Sequence, residues 1–462
     1  MATDDRKLHV VVFPWLAFGH MIPFLELSKS IARKGHRVSF VSTTRNIDRL
    51  PKLPPTLSPL IDLVKLTLPR VDGLPENAEA TTDLGFDESH YLKAAFDLLE
   101  PQFTRFIESS PPDWVIHDYA HFWVPPAAHK FGSSCAFFLI MSGWFPALAG
   151  PPSAMLDPAG PPPPPPGGPN AQPKWIPFPT DVALRPFQMK RMMALAGSAN
   201  ASGISDLYRH GASVVGSDVF ALRYCREFEG QWLAVLENLN QKPVIPVGLM
   251  PASVPEDSPS EWVTIKEWLD KRPAETVVYV ALGSEVSLTQ EELSELAHGL
   301  ELSGVPFFWA LKKPKSVKLP DGFEDRIGDR GIVWSNWAPQ VRILAHSSVG
   351  GFLTHCGWSS TIEGIQFGRP LIMLPFLVDQ GPNAILLRGR KLGLEVPRNE
   401  TDGSYKRNDV AETIRLVMSS ADGRIYREKV REMSAVFGDR ELHDGYMNNF
   451  IGYLEEHRKK QE

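Results

Sequence analysis

Short apolar runs alternate with segments of helical periodicity along most of this sequence. Residues 8–15 are almost continuously apolar, as in a strand that is buried on both faces. Phe24, Leu27 and Ile31 recur at helical spacing in the next segment, and residues 38–41 form a second apolar run. A strand, a helix and a second strand in this order form a βαβ unit, so the pattern predicts a parallel sheet.

The same alternation continues through the chain and predicts an α/β fold throughout. Further strands are predicted at 60–68, 114–118, 134–141, 213–223, 277–281, 305–311, 332–334, 349–353, 371–374 and 395–396. Helices are predicted at 91–107, 185–201, 228–239, 262–272, 288–302, 339–345, 361–367, 383–390, 408–420, 424–437 and 444–456. Two sets of strands interleaved with helices predict two doubly wound parallel-sheet domains that face a cleft.

Composition suggests where one domain ends and the next begins. A chain of 462 residues is long for a single domain, and residues 249–260 are rich in Pro, Ser and acidic side chains, as in a linker. We therefore predict an N-terminal domain at 1–248, a C-terminal domain at 261–440 and a final helix within 441–462. An unbroken proline run at 161–166 predicts irregular chain rather than a packed element.

Charge and cysteine content narrow the classes of function. A net charge of −6 gives no reason to expect nucleic acid or an anionic membrane as a partner. The three cysteines, Cys135, Cys225 and Cys356, have no metal-binding spacing and favour a reducing compartment without a disulfide framework. The N-terminus is polar and lacks the apolar core of a signal peptide. The sequence contains no run of about 18 apolar residues, so it does not predict a membrane-spanning helix. We therefore expect a cytoplasmic protein.

Two polar residues follow buried strands at the edge where open α/β sheets bind ligands. His20 comes just after the first strand, and Asp118 ends the strand at 114–118. A carboxylate beside a histidine holds one tautomer and stabilises the cation, as a general base requires. Both residues also have structural explanations, since His20 could cap or pack its helix and Asp118 could cap a helix near His121. Asp113 is a nearby acidic residue, but it precedes the strand.

The stretch 337–380 contains a second set of polar residues that could bind a ligand. Residues 354–360 form a turn rich in Gly and Ser between a strand and a helix, which leaves backbone N–H groups and the positive end of a helix dipole free. Such a turn binds an anion, usually a phosphate, and His355, Ser359 and Ser360 add side-chain donors. An ordinary buried βα unit is the alternative interpretation.

Residues around this turn suit chemical groups other than a phosphate. Trp337 offers a flat face to a base, and Glu363 can accept the two vicinal hydroxyls of a ribose. Asp379 and Gln380 supply hydrogen-bonding atoms for a polyhydroxylated ligand. Ser284 lies in a second Gly/Ser turn after the strand at 277–281 and suits a phosphate. Base, ribose, phosphate and polyol together indicate a nucleotide sugar.

The stretch resembles the donor-binding signature, or PSPG box, of the plant UDP-dependent glycosyltransferases of glycosyltransferase family 1. The resemblance is collinear, and Ser359 stands where the family usually has Asn. It implies donor contacts from Ser284, Trp337, Ala338, Gln340, His355, Gly357, Trp358, Ser359, Ser360, Glu363, Asp379 and Gln380, with Trp358, Asp379 and Gln380 reading the hexose.

The resemblance also implies an architecture and a mechanism. The expected fold is GT-B, two Rossmann-like domains with the final helix packing back on the first. His20 would deprotonate the acceptor hydroxyl with Asp118 as its partner, while His355 and the serines stabilise departing UDP. One displacement inverts the anomeric carbon. We expect no cofactor and no metal, because no acidic cage such as DxD stands out, and we expect a monomer.

The predicted identities of the donor sugar and of the acceptor rest on resemblance alone. The family commonly uses an Asp379–Gln380 pair with UDP-glucose, although users of UDP-rhamnose can keep it. The segments FPWLAFGHMIPFLELSK and RVSFVSTTRNIDRLP resemble a plant branch that contains sugar-on-sugar transferases and rhamnosyltransferases. We therefore expect UDP-glucose as donor, UDP-rhamnose as the alternative, and a flavonoid or terpenoid, free or glycosylated, as acceptor.

Two other classes of protein require sequence features that differ from those seen here. A nicotinamide dehydrogenase needs GxGxxG after its first strand, and this position reads WLAFGH. A non-catalytic nucleotide-sugar-binding protein would keep the stretch 337–380 and lose the base, whereas His20 and Asp118 are both present.

Overall fold

The first half of the chain is built on a seven-stranded parallel sheet. The computed structural model describes residues 7–85, 88–156, 172–196, 201–255, 260–312 and 316–459. The strands are β1 (His9–Phe13), β2 (Arg37–Thr43), β3 (Ile61–Leu66), β4 (Trp114–His117), β5 (Ser134–Leu139), β6 (Val219–Leu222) and β7 (Val244–Pro246). Their order is β3-β2-β1-β4-β5-β6-β7, and every neighbouring pair is parallel.

Helices cover both faces of this sheet. They are α1 (Phe18–Arg33), α2 (Thr44–Arg49), α3 (Ser89–Asp97), α4 (Glu100–Ser109), α5 (Val124–Lys130), α6 (Trp144–Ala149), α7 (Pro186–Ala196), α8 (Asp206–Gly216), α9 (Arg226–Glu229) and α10 (Gln231–Asn240). Alternate residues of β1 enter different cores: Val10 and Val12 pack in the cluster of α1, and Val11 and Phe13 in the cluster of α3 and α4. This two-sided burial explains why β1 is continuously apolar.

A six-stranded parallel sheet forms the centre of the second half. Its strands are β8 (Val277–Ala281), β9 (Phe307–Ala310), β10 (Gly331–Trp334), β11 (Val349–Thr354), β12 (Leu371–Met373) and β13 (Gly393–Glu395), in the order β10-β9-β8-β11-β12-β13. The helices are α11 (Ser260–Asp270), α12 (Gln290–Ser303), α13 (Phe323–Ile327), α14 (Gln340–Ala345), α15 (Trp358–Gln366), α16 (Gln380–Gly389), α17 (Arg407–Ser419), α18 (Arg424–Phe437) and α19 (Arg440–Glu456). The predicted α/β fold with two doubly wound parallel sheets is confirmed.

The last helix, α19, packs against the first sheet. The indole nitrogen of Trp114 donates to the carbonyl oxygen of Leu454 over 2.9 Å. Phe450 and Ile451 share a buried cluster with Phe24 of α1. The end of the chain therefore covers part of the first domain and ties the two halves together.

Several predicted elements are wrong in their bounds, and two of these differences have a clear local cause. The predicted helix at 91–107 is two helices, because Pro101 lies in the first turn of α4, where a proline begins a helix but cannot continue one. Residues up to Gly216 of the predicted strand at 213–223 belong to α8, and only Val219–Leu222 form β6. The signal for α8 was Ser205, whose hydroxyl caps the helix by accepting from the backbone N–H of Tyr208.

Some predictions fall outside the described residues. They concern the proline run at 161–166, residues 256–259 of the linker and residues 197–200 at the end of a predicted helix.

Candidate active site

His20 and Asp118 meet at the carboxyl edge of the first sheet. β1 and β4 are neighbours, with Phe13 paired to His117, so the residues that follow each strand lie close together. Nδ1 of His20 is 2.6 Å from Oδ2 of Asp118. The histidine side chain is 18% exposed and the aspartate side chain 3%. The structure therefore brings the predicted base and its carboxylate partner into direct contact, with the histidine reachable from solvent.

Backbone groups hold the Asp118 carboxylate in place. Its Oδ1 accepts from the N–H of Tyr119 at 2.7 Å, and its Oδ2 accepts from the N–H of Trp15 at 3.1 Å. Burial raises the pKa of Asp118, but the charge and hydrogen bond of His20, together with His121 and the N–H of Tyr119, lower the pKa below its ordinary value. The carboxylate is therefore ionised near neutral pH.

The electrostatics of His20 suit a general base. Burial lowers the pKa of its imidazole, but the charge and hydrogen bond of Asp118 raise the pKa above the ordinary value. Because Nδ1 is bound to the carboxylate, Nε2 is the nitrogen that can accept a proton. Asp118 then stabilises the imidazolium that forms, which is the arrangement needed to deprotonate a hydroxyl.

The first turn of α15 offers an anion site at the edge of the second sheet. The helix begins at Trp358 rather than at Thr361 as predicted, so Ser359 and Ser360 lie inside its first turn. Its N-cap is Gly357, which has no side chain to satisfy the first N–H groups. These donors, with the helix dipole, remain available to a phosphate.

His355 lies between two glycines beside this turn. A Cβ atom on Gly283 would be 2.7 Å from Nε2 of His355, and one on Gly357 would be 2.5 Å from it. Burial lowers the pKa of His355 to about 4, so the imidazole is neutral and donates through a single N–H. Ser284 follows Gly283 directly, which places this predicted donor at the same turn.

A hydrogen-bonded pair marks the predicted ribose position. Nε2 of Gln340 donates to Oε2 of Glu363 at 2.8 Å and to the hydroxyl of Ser360 at 3.1 Å. Burial raises the pKa of Glu363, although Gln340 and then Arg223 lower it in part. Trp337 is 69% exposed, so its side chain is accessible to a base. Ala338, next in the chain, is half-buried.

Asp379 and Gln380 lie at the start of α16, where each accepts hydrogen bonds from the protein through a side-chain oxygen. Oε1 of Gln380 accepts from the N–H groups of Phe376 and Leu377, both at 2.9 Å, so its amide remains a donor. Oδ2 of Asp379 accepts from Asn383 at 2.9 Å. Burial raises the pKa of Asp379 to about 6, and the charge of His20 acts against this rise. His20 of the first domain and Asp379 of the second therefore influence each other electrostatically.

Hydrogen bonds join the two domains near Ser284. The hydroxyl of Thr81 donates to Oε1 of Glu285 at 2.7 Å, and Nζ of Lys312 donates to the carbonyl oxygens of Thr82 and Ser284. The second domain thus meets the first at the turn that carries the predicted phosphate donor.

Trp358 and Ser359 of the signature form hydrogen bonds with a residue of the first domain. The indole nitrogen of Trp358 donates to the carbonyl oxygen of Arg223 at 3.1 Å, and the hydroxyl of Ser359 accepts from Nη1 of Arg223 at 2.7 Å. Trp358 is 3% exposed, so a hexose contact from this residue fits its backbone better than its indole. Sequence reasoning missed Arg223, because no spacing or motif relates it to residues in the other domain.

The described part of the chain shows no cluster of three or more His, Cys, Asp or Glu residues that could ligate a metal. None of the helices in these ranges is both long enough and apolar enough to cross a bilayer.

The fold and site define a class of protein. Two parallel-sheet domains, a histidine–carboxylate pair on the first and an anion site flanked by base, ribose and polyol positions on the second are the features of a nucleotide-sugar glycosyltransferase. Comparison with known sequences agrees. The profile of the family described as UDP-glucoronosyl and UDP-glucosyl transferase matches residues 253–446.

Full-length relatives extend the match to both domains. UDP-glycosyltransferase 91D2 from Stevia rebaudiana is 50% identical over 99% of this chain and 97% of its own length. Soyasaponin III rhamnosyltransferase from Glycine max is 42% identical over 99% of this chain and 97% of its own length. The chain therefore belongs to the plant UDP-glycosyltransferases of glycosyltransferase family 1, and it is a transferase.

A solved structure shares the fold over nearly the whole chain. Glycyrrhiza uralensis UGT73P12, complexed with glycyrrhetinic acid 3-O-monoglucuronide, superposes with a TM-score of 0.79 at 22% identity, covering 98% of this chain and 96% of that protein. The predicted GT-B architecture is confirmed.

Proposed function

We propose that this enzyme is an inverting transferase that moves a hexose, glucose from UDP-glucose, onto a hydroxyl of a plant flavonoid or terpenoid or of its glycoside. The observation that carries the proposal is the 2.6 Å contact of His20 with Asp118 at the carboxyl edge of the first sheet. The electrostatic influence of Asp379 on His20 supports a shared cleft between this pair and the sugar end of the donor site.

The reaction follows from this arrangement. Nε2 of His20 takes the proton of the acceptor hydroxyl as its oxygen attacks the anomeric carbon. The bond from that carbon to the diphosphate breaks on the opposite face, so the configuration inverts. The first turn of α15, with His355, Ser284 and Ser360, stabilises the charge that develops on UDP. These donors replace a metal ion, so we propose catalysis without one.

The hexose is recognised at the start of α16. The free amide of Gln380 donates to a sugar hydroxyl, and the carboxylate of Asp379 accepts from another. Because the pKa of Asp379 is about 6, this carboxylate is mostly ionised at neutral pH and acts as an acceptor. Burial excludes water from both contacts and strengthens them.

A rhamnosyltransferase is the second candidate. It is supported by the relative from Glycine max, whose name states rhamnosyl transfer and which aligns with 99% of this chain. Rhamnose lacks the hydroxyl at carbon 6 of glucose but keeps other hydroxyls that Asp379 and Gln380 can bind.

A donor and acceptor panel tests the proposal. Purified protein is offered UDP-glucose, UDP-rhamnose, UDP-galactose or UDP-glucuronate, each with flavonoid and terpenoid aglycones and their monoglucosides, and UDP release and product mass are measured. Hexose addition from UDP-glucose supports the first candidate, and a deoxyhexose addition from UDP-rhamnose supports the second. Asp118→Asn serves as the low-activity control. No UDP release with any pair contradicts both candidates for these acceptors.

A further inference from the structure

Arg223 follows β6 and lies buried at the boundary between the two domains. It is 5% exposed. Its Nε donates to the carbonyl oxygen of Leu249 at 2.8 Å and its Nη2 to that of Met250 at 3.4 Å. Its Nη1 donates to the hydroxyl of Ser359 at 2.7 Å. All three acceptors are neutral oxygens, and one of them belongs to the first turn of α15.

The charge of this guanidinium has no direct counter-charge. Within the described ranges, no carboxylate forms an ion pair with Arg223. The acidic residues that influence it are Glu363 and Glu26, which bind Gln340 at 2.8 Å and Lys29 at 2.7 Å. Burial lowers the pKa of Arg223 to about 10 despite both carboxylates. A buried cation without a partner is costly, so a function that uses the charge is expected.

The position of the charge favours binding of an anion at the first turn of α15. The N-terminus of a helix carries partial positive charge, so a cation beside it is unfavourable and an anion is favourable. Arg223 contacts the first turn of α15 twice, through Ser359 and through its own carbonyl oxygen, which accepts from Trp358. A diphosphate bound at this turn would offset the helix dipole and the buried guanidinium together.

We propose that Arg223 is a positioning residue for the donor diphosphate, supplied by the first domain and acting through Ser359. Because the Ser359 oxygen accepts from Arg223, its own hydrogen is left to donate to a phosphate oxygen. The polarised hydroxyl and the nearby charge offset the shorter reach of a serine where the family usually has asparagine. The inference rests on the proposed donor site at α15.

The test compares two ligands that differ in the presence or absence of the diphosphate. Calorimetry measures the affinity of UDP and of uridine for the wild-type protein, Arg223→Gln and Arg223→Lys. Glutamine keeps a hydrogen-bond donor and loses the charge, whereas lysine keeps the charge. We expect Arg223→Gln to weaken UDP by about 10-fold or more and to leave uridine affinity unchanged, as expected for a lost charge-assisted contact. Arg223→Lys should keep most of the UDP-over-uridine preference.

Arg369 supplies the matched control. It is a partly buried arginine with a lowered pKa, it donates to the carbonyl oxygens of Leu344 and His346, and its backbone N–H donates to the carbonyl oxygen of Gly364 near the other end of α15. Arg369→Gln should lower the melting temperature without changing the preference for UDP over uridine.

Each outcome of these binding measurements either supports or contradicts a role of Arg223 in diphosphate binding. Equal loss of UDP and uridine affinity in Arg223→Gln would mean a structural role only, and unchanged UDP affinity would overturn the inference as well. If Arg223→Gln does not fold, Arg223→Lys decides, because a collapse of the UDP-over-uridine preference in that variant contradicts a role of charge. A wild-type protein that binds neither ligand would instead contradict the proposed donor site, and the inference would fall with it.

Discussion

Replacing Asp118 by asparagine keeps the shape of the side chain beside His20 and removes its charge. The wild-type carboxylate accepts a 2.6 Å hydrogen bond from Nδ1 and so leaves Nε2 unprotonated. An asparagine can present its amide N–H at this position, which favours protonation of Nε2 instead. The base would then carry its proton on the nitrogen that must accept one.

The expected size of the effect follows from the lost contact. A hydrogen bond between charged groups contributes about 1.5–3 kcal/mol, and loss of that amount at the transition state lowers kcat by about 10- to 150-fold. The wrong tautomer adds to this loss. We therefore expect Asp118→Asn to lower kcat by about 100-fold or more, with little change in UDP affinity, because Asp118 lies on the other domain from the donor site.

The same substitution shifts the pH dependence in a defined direction. In the wild-type protein Asp118 raises the pKa of His20 above its ordinary value, so kcat/KM should fall as the pH drops through that raised pKa. In the variant, burial remains and the largest contributions that oppose it, the charge and hydrogen bond of Asp118, are gone, so we expect the pKa of His20 to fall. The acid limb of the profile should move to lower pH.

Asp113→Asn is the matched control for this experiment. Asp113 lies before β4 rather than after it, and its Oδ2 accepts from the backbone N–H of His9 at 2.8 Å. Its loss should affect stability and leave the pH profile of kcat/KM in place. Initial rates of UDP release between pH 5 and 9 measure both variants. An Asp118→Asn enzyme with wild-type kcat and an unmoved acid limb would refute the reasoning.

Three further substitutions test the donor site. Trp337→Ala should weaken UDP by about 10-fold through lost stacking, without loss of thermal stability because the side chain is mostly exposed; unchanged calorimetric affinity would remove the stacking role. Glu363→Gln should weaken UDP and abolish its preference over 2′,3′-dideoxy-UDP, and a preserved preference would place the ribose elsewhere. Gly283→Ala should lower kcat, because the new Cβ would lie 2.7 Å from Nε2 of His355; wild-type kcat would show that His355 is not needed in that position.

Local sequence patterns predicted much of the fold, because strands that are buried on both faces appear in the sequence as continuous apolar runs. The order of strands and helices followed from apolar runs and helical spacing. The two errors described above, in the bounds of α8 and of α3 and α4, arose where a single residue determined a helix boundary that the apolar pattern did not show. The Val-rich end of α8 suggested a strand, although Ser205 already marked a helix start, and Pro101 divided a segment whose apolar spacing is continuous.

The candidate site was predictable where geometry depends on one domain. His20 and Asp118 follow adjacent strands, so their contact follows from sheet topology, and the residues of 337–380 belong to one continuous stretch. Contacts between domains were not predictable in this way. The bonds from Arg223 to α15 join positions that share no strand, helix or motif, and they depend on how the domains are placed.

The central claim is that His20 removes the acceptor proton while the second domain holds the donor. Its most direct test measures UDP affinity by calorimetry and single-turnover transfer with His20→Ala. The account predicts loss of transfer with UDP affinity close to that of the wild-type protein, because the donor residues are untouched. Full transfer activity in the variant would contradict the claim, since the acceptor hydroxyl would then be deprotonated without this histidine.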